Sequence, residues 1–391
     1  MNTTHTPRTT PRLRLAPVAV ALASAMLALP TQAQSTQRTE ITPYGEVATL
    51  DAPASTRGRT PLRAPFQTRE ERARVQPLSW HDRDAPRASE TPLQAEAEAM
   101  DRGLDPGLSG GGLPEPGAAD MAREHFADDW EYLEALDAMI EAGELEAGAM
   151  EQPLGTAGVF TRYTGNLHTQ FWQFAPFNKI GKLYFTTPSG GSSYCTANLI
   201  SGNNHIVTAA HCLYTRGQGW NRNFVFVPAD RYGAAPYGSY GWTSARVPPE
   251  WISQGGRRWD VGLVSLANHP QTGLPASAYV GWLGTSWNHG YVQHMHSVGY
   301  ASNLSTQYTH VCSAESLYAA NEGIDVLVKG CDMTYGSSGG GWLRNFLPYS
   351  HGGNHVNGVV SGPHIGHFGT TYNGPRFSSQ NFLPLCNAAG C

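Results

Sequence analysis

Carboxylates are spread along this 391-residue chain in a way that limits what each part can build. Of the 31 Asp and Glu, 24 fall in residues 35–155, and only seven follow, the last being Asp332. Residues 35–155 also hold 11 Arg and no Lys, for a net charge of −13, whereas residues 156–391 hold 12 basic side chains and a net charge of +5. All six Cys and eight of the ten Trp lie in that later part. The overall charge of −5 thus hides an acidic, cysteine-free front and a weakly basic, aromatic back. This excludes a uniform single domain, a collagen-like or low-complexity chain, and a nucleic-acid binder with a strongly basic face. At 236 residues the back is long enough to bury a sizeable core.

The first 33 residues read as a secretory signal. Arg8, Arg12 and Arg14 accompany an apolar run from Leu13 to Leu29, ended by Pro30, and Thr31-Gln32-Ala33 offers a small-residue cleavage site. A membrane-spanning helix needs about 20 apolar residues, more than this run supplies. The expected product is exported, extracellular or periplasmic, with no membrane attachment once the signal is removed. An even number of cysteines confined to one part suits an oxidising compartment.

Residues 34–160 read as an acidic pro-segment and 161–391 as the functional domain. Residues 35–117, rich in Pro, Arg, Thr, Ala and Glu, show no sustained apolar periodicity and are expected to be extended or disordered. Within them DPGLSGGGLPEPG (105–117) reads as a flexible break. In 119–147, Met121, Phe126, Trp130, Leu133, Leu136 and Ile140 recur at helical spacing among acids, predicting an amphipathic helix. It either docks on the basic domain or forms a solvated linker. Beyond Phe160, short β-type runs alternate with Gly, Pro, Asn and Ser: 179–185, 195–200, 205–209, 224–227, 261–266, 291–298, 309–311, 324–328 and 356–360. No long amphipathic helix separates them, so the domain is expected to be an all-β barrel or sandwich.

Two segments carry chemistry. Thr208-Ala209-Ala210-His211-Cys212 follows a β-like run, and Gly336-Ser337-Ser338-Gly339-Gly340-Gly341 offers a Ser on a glycine-rich turn. Such a turn exposes a hydroxyl and frees backbone N–H groups for a developing oxyanion. The second segment also fits the G-x-S-x-G elbow of α/β-hydrolases. That triad requires an acid after the Ser, and none follows Asp332; an acid-first order fails because residues 152–229 contain none. If His211 and Ser338 are partners, the order His, acid, Ser remains. Among Asp230, Glu250, Asp260, Glu315, Glu322, Asp325 and Asp332, only Asp260 sits in a strongly apolar frame, Trp259-Asp260-Val261-Gly262-Leu263-Val264. A buried carboxylate requires a partner, and a histidine N–H is a suitable one.

TAAHC, WDVGLV and GSSGGG, in that order, resemble the three catalytic blocks of the trypsin/chymotrypsin-like serine peptidases. CDMTYGSSGGGW resembles secreted bacterial members, a group that includes the glutamyl endopeptidases. The resemblance spans roughly residues 175–385. It implies two antiparallel six-stranded β-barrels, with His211 as general base, Asp260 as its orienter and Ser338 as nucleophile. Gly336 and Ser338 would form the oxyanion hole. The implied reaction is hydrolysis of a protein or peptide substrate through an acyl-enzyme, with no metal or organic cofactor. A catalytically silent binding module on the same fold is the alternative from another class.

Six cysteines allow fifteen pairings; the resemblance supports Cys195–Cys212, and Cys312–Cys331 and Cys386–Cys391 are the favoured local pairs beside it. The position before the nucleophile, Asp in trypsin-like enzymes, is Ser337 here, which puts the usual salt-bridge activation in question; a mature start between Gly155 and Arg162 is expected. Asp332, six residues before Ser338, matches the acid at the base of a trypsin-like primary pocket and suggests cleavage after Arg or Lys. By the resemblance, Ser361 and Gly362 match the substrate-lining strand, with Ser361 matching the residue expected to accept a bond from the catalytic Asp. The glutamyl endopeptidases place a His where this chain has Val360, leaving His364 as the nearby substitute. His294-x-His296 and His364-x-x-His367 lack a complete zinc ligand set.

Overall fold

The computed structural model describes residues 35–53, 65–79, 104–144, 160–164, 171–319, 322–363 and 371–391. The signal residues 1–33, residues 155–159 of the expected mature start, and His364 and His367 lie outside them. Four strands come from the front: β1 (Thr36–Thr42), β2 (Gly45–Asp51), β3 (Gln76–Pro77) and β4 (Gly107–Ser109). The strand β5 (Thr161–Thr164) follows.

The next strands are β6 (Ile180–Thr186), β7 (Ser192–Ser201), β8 (His205–Thr208), a small hairpin of β9 (Tyr214–Thr215) and β10 (Gly219–Trp220), then β11 (Arg222–Pro228), β12 (Tyr240–Val247) and β13 (Gly262–Leu266). Six of them run antiparallel in the order β12-β11-β6-β7-β8-β13, and β13 pairs back onto β12 to close a barrel. Ile180, Leu183, Phe185, Ala197, Leu199, Ile206, Val207, Leu263 and Val264 are its contribution to the main core cluster. The closing strand β12 was not among the runs read from the sequence. Tyr-Gly-Trp-Thr-Ser-Ala-Arg-Val holds few aliphatics, although Tyr240 and Trp242 are buried while Gly241 and Thr243 are half-buried, a weak period of two.

A second set comprises β14 (Gly284–Trp287), β15 (Gln293–Gly299), β16 (His310–Tyr318), β17 (Val326–Gly330), β18 (Gly341–Arg344), β19 (His355–Val359), β20 (Gly362–Pro363) and β21 (Thr371–Pro375). The path β21-β17-β16-β15-β18-β19 curls until Gly358 and Arg376 meet in an isolated bridge, making a second six-stranded ring. Met295, Leu327, Trp342 and Tyr372 pack inside it. The chain has the all-β, chymotrypsin-like double-barrel class expected of it.

The front differs from its expectation. β1 and β2 form a hairpin, and β2 pairs with β12, placing Val47, Leu50 and Ala52 in the first barrel's core cluster. β4 pairs with β14, and β3 with β7. The glycine run is not a break in the structure. A Cβ at Gly107 would fall 2.3 Å from the Trp287 ring, and one at Gly112 would fall 2.1 Å from the Trp282 ring, so these glycines leave room for indoles. The amphipathic segment forms two helices, Ala118–His125 and Ala127–Glu141, interrupted at Phe126. Their apolar side buries Ala122, Trp130, Leu133 and Leu136, with Trp130 4.8 Å from Trp172 and 5.8 Å from Tyr237 between ring centroids.

Lys179 is buried at this junction, its Nζ donating to Gly112 O at 3.1 Å and Trp282 O at 2.9 Å. Burial pushes its ammonium down to about 7. An unfolded Lys keeps its proton to about 10.4, so between those values the folded state binds fewer protons and stability rises with pH. Lys329, buried and lowered by the same cause, adds in the same direction. Lys179→Met is expected to flatten, without abolishing, the rise in urea-unfolding midpoint between pH 7 and pH 9.5.

Candidate active site

His211 lies in the 3-10 turn Ala210–Cys212 directly after β8, and Asp260 follows the 3-10 turn Arg257–Trp259 directly before β13. Because β8 and β13 pair, with Gly262 opposite Thr208, the two turns emerge side by side. The Cys195–Cys212 disulfide ties the histidine turn to β7. Asp260 holds His211 at two points: Oδ2 lies 2.8 Å from Nδ1, and Oδ1 accepts the His211 backbone N–H at 2.8 Å. Ser361 Oγ donates to the same Oδ2. Burial pushes the Asp260 carboxyl up, but the charge and hydrogen bond of His211, with Ser361 and the backbone N–H, outweigh it and hold the group below the usual carboxylate range. An ionised Asp260 keeps the proton on Nδ1 and leaves Nε2 as a proton acceptor. That Nε2 is buried with no hydrogen-bond partner.

Ser338 sits on the turn that enters β18 and is fully buried. Although this turn belongs to the second ring, it is secured to β7 of the first. Thr196 N donates to Ser338 O at 2.8 Å, and Thr196 Oγ1 to Gly336 O at 2.8 Å. Asn198 Nδ2 donates to Gly339 O at 2.8 Å and to Val207 O at 3.1 Å, while its Oδ1 accepts from Gly341 N at 3.0 Å. Gly339 has φ +79°, and a Cβ there would lie 2.0 Å from Thr208 Oγ1, so only glycine fits this crossing. Thr196 and Asn198 were not among the residues singled out from the sequence. Their signal was present: two polar side chains inside a run that otherwise reads as a buried strand require partners.

Ser337 is buried and its Oγ donates to Thr334 O at 2.6 Å, so this hydroxyl is satisfied within its own turn. Gly336 and Ser338, the expected oxyanion-hole pair, share that turn, with Gly336 at φ +85°.

Asp332 is already paired. Its Oδ2 accepts from Arg162 Nε at 2.9 Å, with the Arg162 side chain buried and that of Asp332 24% exposed. The pairing follows from β5 lying on β16 with Arg162 opposite Cys312, whose disulfide to Cys331 brings Asp332 alongside. Burial pushes the Asp332 carboxyl up, an effect that Arg162 partly offsets. Ser361 and Gly362 stand beside Arg257, a second residue not singled out from the sequence. Its Nη1 donates to Ser361 Oγ at 3.2 Å and its Nη2 to Pro363 O at 2.9 Å, and Glu322 lies 3.4 Å from its Nε. The third disulfide joins Cys386 and Cys391 beside the C-terminal helix Leu383–Ala389. His294 bonds Ser313 Oγ at 2.8 Å, and His296 stacks on Phe346 at 4.2 Å, with burial pushing its imidazole down to about 4.

No family model matches the chain. Among curated proteins, an extracellular metalloprotease of Bacillus subtilis (strain 168) is 29% identical over 134 residues, which make up 34% of this chain and 39% of that protein. The chain thus spans well under half the length of that relative. Among solved structures, protease Anisep from Arthrobacter nicotinovorans is 28% identical with a TM-score of 0.49, covering 55% of this chain and 96% of its own. Serine protease AL20, thermostable and from an extremophilic microorganism, is 27% identical with a TM-score of 0.49, over 55% and 98%. A Glu endopeptidase in complex with MPD is 21% identical with a TM-score of 0.47, over 59% and 97%. The name of the Bacillus relative raises the question of a metal. Among the described residues two groups bring three potential ligands together, Cys195/His211/Cys212 and Cys312/Cys331/Asp332. In each, the two sulfurs are joined in a disulfide and provide no thiolate, so neither fits a metal centre.

Asn198→Ala would leave a buried carbonyl and a buried N–H of the Ser338 turn without partners, at about 1–3 kcal/mol for each such group. The urea-unfolding midpoint of this variant should fall clearly below that of the parent, and Thr196→Val should lower it by a smaller amount.

Proposed function

We propose that this chain is the precursor of an exported serine endopeptidase in which Ser338 is the nucleophile, His211 the general base and Asp260 its orienter. The observation that carries the reading is the two-point hold of Asp260 on His211, with Nε2 unpartnered, at the seam where Thr196 and Asn198 secure the Ser338 turn. In this mechanism Ser338 Oγ attacks the scissile carbonyl carbon while its proton passes to His211 Nε2. The tetrahedral oxyanion is held by the N–H groups of Gly336 and Ser338. Collapse expels the amine, which takes the proton from His211, and water then hydrolyses the acyl-enzyme by the same route. Ser338 is fully buried in this state, so neighbouring chain has to move before a polypeptide reaches it, in keeping with a latent precursor.

For specificity, Asp332 is proposed as the determinant for Arg or Lys before the scissile bond, with Arg162 as the internal cation that a substrate has to compete with. Arg162→Gln is expected to raise kcat/KM for Arg-containing peptides by more than tenfold while leaving Phe-containing peptides nearly unchanged. A panel varying Arg, Lys, Glu and Phe at that position checks this, and a preference for Glu would overturn the role of Asp332.

The central test is covalent labelling of the secreted protein with a fluorophosphonate, followed by peptide mapping. Modification of Ser338, lost in Ser338→Ala and His211→Ala, is expected. Failure to modify it in folded protein favours the silent binding module. Asp260→Asn should lower kcat by about 10⁴ with little change in KM, because the histidine would be held in the wrong tautomer.

A further inference from the structure

Besides the pairing of β3 with β7, the front segment is built into the domain it precedes at three separate places. Along one strand edge, residues Ala48–Asp51 of β2 pair with Ser244–Val247 of β12, and Glu40 accepts from Arg246 Nε at 3.0 Å. At a second place, β4 lies on β14 and the glycine run passes over the rings of Trp282 and Trp287. At the third, Trp130 Nε1 donates to Pro236 O at 2.7 Å, Asp137 pairs with Arg231, and Arg72 Nε donates to Gly233 O at 2.8 Å. None of these three surfaces carries His211, Asp260 or Ser338.

Charge makes the arrangement hard to undo. Only seven acids lie in residues 156–391. Five of them pair within that part: Asp230 with Lys182, Asp260 with His211, Glu322 with Arg257, Asp325 with Arg376, and Asp332 with Arg162. The buried guanidiniums of Arg246 and Arg231 draw carboxylates from the front, Glu40 and Asp137. Release of the front would break both ion pairs together and expose the apolar surface that the front covers.

We propose that residues 35–144 are a permanent structural subunit of the working protein, retained by non-covalent contacts after any cut between Glu144 and Phe160. Activation then removes or moves chain near the nucleophile and leaves the acidic front in place. The proposal builds on the peptidase reading, and the test separates the two. The full-length chain is secreted, treated with fluorophosphonate, and its folded species weighed by native mass spectrometry before and after denaturation. A folded species that contains residues 35–144, as one chain or as two chains that part only in denaturant, is the expected result. A folded species made of the later chain alone overturns the proposal, whether or not the label reacts. A species cut between Glu144 and Phe160 that retains the front yet takes no label counts against the peptidase reading and leaves the subunit in place. Glu40→Gln, a near-isosteric change, should lower the urea concentration at which the front is released; an unchanged release concentration would remove the charge argument.

Discussion

The proposed triad is divided between two barrels, so everything depends on how firmly those barrels are registered against each other. Thr196 and Asn198 supply that register. They project from β7, the strand that the Cys195–Cys212 disulfide joins to the histidine turn, and bond the backbone of Gly336, Gly339 and Gly341. One strand thus references both His211 and the Ser338 turn. A shift of about 1 Å between the two would be costly, because proton transfer needs heavy atoms within about 3 Å. The left-handed Gly339 belongs to the same device, since the turn has to pass close against Thr208.

The pairing of His211 with Asp260 was legible for a negative reason as much as a positive one. Few acids follow residue 151, which left the order histidine, acid, serine if His211 and Ser338 are partners, and the apolar frame of Asp260 marked it as a carboxylate in need of a partner. β15, β17 and β19 of the second ring, the start of β16, and every strand of the first barrel except β12 were legible as short β-branched and aromatic runs, whereas β14, β18 and β21 were not. What escaped had a common cause. β12, β1, β2 and β4 owe their burial to strands far away in the chain, and their own composition is polar or glycine-rich. In Gly107–Gly112 the missing side chains read as freedom, whereas in the fold they are the space that two indoles occupy. Arg162 escaped too, because its partner Asp332 lies 170 residues further on. Non-local pairing of this kind leaves no periodic trace.

The uneven distribution of carboxylates also has a clearer physical meaning. The later part is short of acids for its own buried cations, and the front provides two of those that are missing. The acidic front is therefore more than a solubilising or shielding extension. Its charge is placed, residue by residue, where Arg246 and Arg231 are withdrawn from water.

The stacking of the front glycines on Trp282 and Trp287 also gives the molecule an optical signature of its own state. Both indoles are half-buried beneath that strand. Lifting it would bring water to two of the chain's ten tryptophans and move their emission to longer wavelength. Intrinsic fluorescence thus distinguishes a docked front from a departed one without a label, and it does so in solution and in real time.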